Sequence, residues 1–157
     1  MNKKVYGVRK GAPFKKGDAQ AIGEFIDGID VKSSKKILAR IKKNKRHIIH
    51  GLIEWDDTIA GEEFRLQQVR NIVNHVTIEI KEIGDGLPVR AFFSVNKPDN
   101  GDTTVYVDLN QTFSDDYYRS QVISRAKGEL SNWQERYHQY NELSEIIGKI
   151  FIFLNKG

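Results

Sequence analysis

Apolar residues recur at helical spacing through the first half of the chain, then switch to a period of two near residue 76. Ala21, Ile22, Phe25, Ile26 and Ile29 share one face and predict a helix from about Asp18 to Ile29, capped by Gly17 or Asp18. After Asp30-Val31-Lys32, Ser33 or Ser34 can cap a second helix, whose Ile37, Leu38 and Ile41 stand three or four apart. His47 to Ile53 reads as a buried connector, a strand or a 3₁₀ turn. Glu54-Trp55-Asp56-Asp57-Thr58 reads as the acidic start of a third helix, because unpaired N–H groups and the dipole favour carboxylates at a helix N-terminus. Ile59, Ala60, Leu66, Val69, Ile72 and Val73 carry that helix to about Asn74.

Val76, Ile78 and Ile80 then alternate with Thr77, Glu79 and Lys81, the pattern of a half-buried strand. Gly84-Asp85-Gly86 signals a hairpin, and Leu87 to Val95 is the expected return strand, with Val89, Ala91, Phe93 and Val95 on one face. A second turn at 97–102 leads to a third strand, Thr103 to Leu109, completing a three-stranded antiparallel meander. Thr112 or Ser114 then caps a long final helix. Its stripe runs through Val122, Ala126, Leu130, Trp133, Tyr137, Tyr140 and Ile147. Unbroken from Asp115 to Ile150 it reaches ~54 Å, too long for so small a partner surface. It therefore breaks, with Gly128 and Gly148 as candidate points, or packs against another copy.

The class expected is α+β: a basic arm at 1–16, in which Val5-Tyr6-Gly7-Val8 can add a short edge strand, and one domain at 17–157, helical over 17–75, sheet over 76–110 and long helix over 113–152. Three helices followed by a hairpin is also the order of a winged-helix module, whose third helix reads base edges. Here Arg65, Arg70, Gln67, Gln68 and Asn71 would do so, against repulsion from Glu54, Asp56, Asp57, Glu62 and Glu63.

Composition narrows the chemistry. The 157 residues contain no cysteine, which removes disulfides, thiol nucleophiles and Cys-ligated metals. No apolar run suits a signal peptide or a membrane span, so a soluble protein is expected. The net charge of +4 is unevenly spread: residues 1–46 hold 14 Lys/Arg against 4 Asp/Glu, and the remainder is acidic. Lys32, Lys35, Lys36, Arg40, Lys42, Lys43, Lys45 and Arg46 crowd into fifteen positions. Such a run repels itself unless it is solvated or meets an anion, and the phosphate backbone is the commonest strong one. These eight are the candidate nucleic-acid contacts, assisted by Lys3, Lys4, Arg9, Lys10, Lys15 and Lys16 of the arm.

Other constellations are thinner. His47 and His50 followed by Glu54, Asp56 and Asp57 match no established metal spacing, and no metal or cofactor is expected. Glu79-Ile80-Lys81 with Asp56 or Asp57 upstream outlines the acidic–Glu-x-Lys set of metal-dependent nucleases, without the neighbouring-strand aspartate that chemistry needs. No phosphate loop, Ser-His-Asp order or nucleophile elbow is present, so an enzyme is not expected. Leu130, Trp133, Tyr137 and Tyr140 are the candidate oligomer interface, since Trp and Tyr are enriched at such surfaces.

Residues 54–70, from Glu54-Trp55-Asp56-Asp57 to Leu66-Gln67-Gln68-Val69-Arg70, together with Leu130-Ser131-Asn132-Trp133-Gln134-Glu135-Arg136-Tyr137, resemble small proteins encoded by bacteriophages and prophages. The resemblance spans about residues 15–150. It implies a phage-encoded accessory protein acting in the bacterial cytoplasm or inside the virion, and transfers no functional residue. The expectation is non-enzymatic nucleic-acid binding by a self-associating chain. The alternative is a protein-interaction module: an inhibitor of a host or defence protein, or a structural virion component.

Overall fold

The structure, a computed structural model, describes residues 3–80 and 87–156, with side chains for all of these except 100–102. The class is α+β. Strand β1 (Val5–Val8) precedes helices α1 (Ala19–Asp27), α2 (Ser34–Lys43) and α3 (Glu62–His75), and α3 runs straight into β2 (Val76–Glu79). Strands β3 (Pro88–Arg90), β4 (Phe92–Lys97) and β5 (Asn100–Asp108) follow, then helices α4 (Leu109–Ser114), α5 (Asp116–Tyr137) and α6 (Ser144–Leu154). The expected Gly84-Asp85-Gly86 turn lies outside the described residues.

A three-stranded antiparallel sheet is present, but β1 stands in the place expected of the strand at 103–109. The order is β1-β2-β3, with Tyr6 opposite Ile78 and Ile78 opposite Val89. Strands β4 and β5 form a separate hairpin, Phe93 opposite Val107 and Val95 opposite Val105. The expected return strand, Leu87 to Val95, is divided at Ala91. Its N–H donates to the Val76 carbonyl at 3.1 Å, and its carbonyl accepts from the Leu109 N–H at 3.0 Å. Its N–H keeps the register of β3 on β2 and its carbonyl that of β4 on β5, so the chain passes from one sheet to the other at this residue.

The basic arm is likewise built into the fold. Tyr6 and Phe14 are buried in the core. The outer edge of β1 is closed by Gln20 of α1, which accepts from the Tyr6 N–H at 2.8 Å and donates to the Lys4 carbonyl at 2.9 Å. A side-chain amide thereby replaces a neighbouring strand and blunts an edge that would otherwise template further pairing.

The main core gathers Ile22 and Ile26 of α1, Ile37, Leu38 and Ile41 of α2, and Leu66, Val69, Ile72 and Val73 of α3 around Val76 and Phe92. Val95, Val105 and Val107 form a second cluster against Val31, Tyr118 and Val122. Strand β5 is thus covered on both faces, Tyr106 toward the main core and its valines toward α5, although its alternation predicts one wet side.

Two helices depart from expectation. Helix α3 starts at Glu62 rather than at Glu54, because Asp56 Oδ1 accepts from the Thr58 N–H at 2.9 Å and from its hydroxyl at 2.6 Å, tying the segment into an Asx turn. The long final helix is two. The break falls at 138–143, not at Gly128 or Gly148, and α6 folds back on α5 so that Lys127 Nζ stands 5.5 Å over the Phe153 ring. Folding back buries Ile150, which a straight rod would leave in water. Among the described residues no helix is long and apolar enough to cross a membrane.

Candidate nucleic-acid interface

Helix α2 organises the basic run. The Ser33 hydroxyl accepts from the Lys36 N–H at 3.2 Å and starts the helix. Ile37, Leu38 and Ile41 turn into the core, and at 3.6 residues per turn this leaves Lys35, Lys36, Arg40, Lys42 and Lys43 on the outward arc. Lys45 and Arg46, in the turn that follows, are also exposed. Among the described residues, none of these seven has a carboxylate oxygen within 4.0 Å. Three of the cations, Arg40, Lys42 and Lys43, occupy the last turn, where the negative end of the helix dipole tolerates them. The Arg40 guanidinium lies 5.6 Å over the Phe25 ring, which restrains its direction.

A depression lies on either side of this ridge. One, of about 370 Å³, runs between the end of α1 and α2 and is lined by Lys36, Arg40 and Lys43, with Asp30 as its only carboxylate. The other, of about 590 Å³, separates the start of α2 from α3 and the β4–β5 hairpin. Lys35 and Arg70 face Ser33, Ser34, Asn74 and Thr104 across it, and Glu63 is its single acidic group. The cations therefore converge on one helix face instead of scattering over the molecule.

Some predicted contacts are not available. Lys32 is only 8% exposed, because its backbone carbonyl accepts from the Tyr106 N–H in an isolated bridge that draws the residue under β5. It drops out of the candidate contacts. Within the arm, Lys4 Nζ sits 2.9 Å from Asp27 and 3.2 Å from Asp108, and Lys3 is 3.6 Å from Glu24. The Lys4 charge is met internally, whereas Lys3, Arg9, Lys10, Lys15 and Lys16 are exposed. On α3, the expected reader Arg65 points inward. It donates to the Glu54 carbonyl at 2.8 Å, the Trp55 carbonyl at 3.2 Å and Asp57 Oδ1 at 2.5 Å. Gln68 is engaged too, accepting from the Glu54 N–H at 3.1 Å. Of the expected readers only Gln67, Arg70 and Asn71 stay at the surface, Arg70 donating to Gln67 Oε1 at 3.4 Å, beside exposed Glu62 and Glu63.

The histidines and aspartates have structural work. His47 Nδ1 accepts from the Ile49 N–H at 3.3 Å, and the His50 ring stacks on Trp55 at 4.5 Å. No group of three potential metal ligands occurs among the described residues. The Thr58 hydrogen bonds hold the Asp56 carboxyl below its ordinary pKa, and Asp57 is the partner of Arg65. Lys81 of the nuclease-like set lies outside the described residues.

A second cationic place is absent from any sequence window. Arg90 of β3 has its pKa lowered by burial and then by the charge of Arg9, with Arg125 of α5 adding to the effect and Glu129 opposing it. These residues come from three segments, so no local run announces them. Of the proposed interface residues, Leu130 and Trp133 are half-buried, whereas Tyr137 and Tyr140 are exposed at the turn between α5 and α6. The Trp133–Tyr137 and Tyr137–Tyr140 ring centroids lie 5.3 and 6.4 Å apart. Comparison with protein-family models, curated proteins and solved structures finds no match to this chain.

Proposed function

We propose that the protein binds nucleic acid without enzymatic action along the outward face of α2, as a phage-encoded accessory protein of the bacterial cytoplasm or the virion. The observation that carries the binding reading is the row Lys35, Lys36, Arg40, Lys42, Lys43, Lys45 and Arg46, exposed and without carboxylate partners among the described residues. Seven like charges held on one ridge repel one another, and an anionic polymer relieves that repulsion while releasing its own counterions. The depressions beside the ridge give a backbone room to follow it, and Arg70 extends the cationic surface across the second. The phage origin rests on the resemblance of residues 54–70 and 130–137.

Recognition of this kind is electrostatic and reads little base sequence. Fluorescence-anisotropy titration of duplex and single-stranded oligonucleotides at two salt concentrations tests it. Affinity should fall linearly on a log–log plot, by ~0.9 per phosphate neutralised on duplex. Absence of binding at low salt overturns the reading. A protein partner retained from nuclease-treated bacterial lysate, with no oligonucleotide binding, would transfer the case to the protein-interaction module.

A further inference from the structure

The α5–α6 hairpin carries more apolar surface than one chain covers. Helix α5 has no buried residue in its 22 positions, and α6, with the sequence SEIIGKIFIFL, has one. The inner side of α6, formed by Leu143, Ile147, Ile150 and Leu154, is at least half-covered against α5. Ile146 and Phe153, two turns apart on one flank, are 50% and 49% exposed, and Phe151 on the other flank is 58% exposed. Tyr137 and Tyr140 add to this at the turn. At about half exposure each of these side chains leaves roughly 100 Å² in water, so the hairpin presents on the order of 500 Å² of apolar surface, about 400 Å² of it without Phe151. That is at the upper limit of what a monomer tolerates, and close to the apolar share of the ~800 Å² that each partner buries in a standard dimer.

The charges of the hairpin select the occupant. Between Asp115 and Lys156 there are six Lys/Arg and six Asp/Glu, so the element is neutral while residues 1–46 are strongly basic. The two ends differ. Phe153 stands beside Lys127, so α6 lies along the second half of α5. The turn end, 129–152, holds Glu129, Glu135, Arg136, Glu142, Glu145 and Lys149, a net −2. The open end, 115–128 with 153–156, holds Asp115, Asp116, Arg119, Arg125, Lys127 and Lys156, a net +2. An element that is +2 at one end and −2 at the other is complementary to itself turned end for end.

We propose that this hairpin is a self-association surface on which two copies pair antiparallel about a two-fold axis. The turn half of each meets the open half of the other, and the four helices close into a bundle over Ile146 and Phe153. An anionic bilayer fits less well, because the acidic turn would be repelled where Tyr137 and Tyr140 would have to insert. The proposal does not depend on nucleic-acid binding and is measured without it.

Sedimentation velocity of the full chain over a concentration series should show a species of twice the 18.0 kDa chain mass. Ile146→Glu with Phe153→Glu, both at exposed positions, should raise the dissociation constant by roughly tenfold or more. Arg119→Glu with Arg125→Glu should weaken pairing, and adding Glu135→Lys with Glu142→Lys should restore it, which no loss of folding can imitate. Far-UV circular dichroism confirms that each variant is folded. A wild-type monomer at the highest soluble concentration overturns the proposal. So does a dimer indifferent to the apolar variants, failure of the charge swap to restore pairing, or a monomer that binds phosphatidylserine vesicles through the same residues.

Discussion

Gly23 of α1 lies against the ring of Tyr6 in β1, so closely that a Cβ at position 23 would come within 2.1 Å of the ring carbon Cγ. This contact, together with the Gln20 amide on the β1 backbone, is where the N-terminal strand is keyed to the first helix. Alanine normally stabilises a helix interior by up to about 1 kcal/mol over glycine. Here the clash reverses the sign. Gly23→Ala should lower the unfolding free energy by about 1–3 kcal/mol in urea denaturation. Pairing it with Tyr6→Leu should recover part of that loss.

Stability should decline at alkaline pH through the same corner of the molecule. The Tyr6 hydroxyl is buried without a hydrogen-bond partner, and burial, followed by the negative charge of Asp27, raises its pKa above the ordinary 10.0. For Lys4, burial is the largest single influence and acts downward, but the hydrogen bonds and charges of Asp27 and Asp108 together raise it above 10.5. Groups whose pKa is raised by folding hold their protons more tightly in the folded state. Their contribution is complete below the unfolded pKa and is lost as pH rises through the folded one. Unfolding free energy should therefore drop above about pH 10, and the drop should be smaller in Tyr6→Phe, which cannot ionise. At pH 7 that variant should be neutral or more stable by up to about 1 kcal/mol, since it removes an unsatisfied hydroxyl. A steeper alkaline decline in Tyr6→Phe would contradict this account.

Arg65 and Asp57 should prove unequal partners. The Asp57 side chain is 88% exposed and that of Arg65 8%. Asp57→Asn should cost less than about 1 kcal/mol, as for other exposed ion-pair members. Arg65→Met should cost about 1–3 kcal/mol, because the carbonyls of Glu54 and Trp55 lose their donor while no buried charge is left behind. Chemical denaturation of both variants checks the ranking.

Within the basic run, burial predicts which cations matter. Each of Lys36→Ala, Arg40→Ala and Lys43→Ala should weaken oligonucleotide binding and reduce the salt slope by about 1. Lys32→Met should leave both unchanged, since its side chain is under β5. Equal effects of Lys32 and Lys36 on the slope would refute the ridge as the contact surface.

Much of this was legible beforehand where the cause is local. The inward face of α2, a serine cap at 33 or 34 and its cationic outer arc all follow from spacing within a dozen residues. The alternations at 76–80 and 103–109 likewise marked β2 and β5 as strands. Which strands pair was not legible, because β1 and β3 both answer the period of β2 and nothing local ranks partners. Ala91 looked like one more inward residue of a continuous strand. Only its bonds to Val76 and Leu109 divide that strand. The failure at Asp56 is of another kind: carboxylates that suit a helix N-terminus also suit an Asx turn, and Thr58 two residues on decides for the turn.

The class, the helical and extended periods and the segregation of charge are properties of neighbouring residues and are therefore written in the order of the amino acids. Tertiary structure alone decided which cations stay in water, since Lys32, Lys4 and Arg65 are withdrawn by Tyr106, Asp108 and Asp57, the first two of which lie more than seventy positions away. It also decided that the C-terminal stripe doubles back at 138–143. A helical period records which side of a helix is apolar and carries no information about whether that side meets its own chain or another.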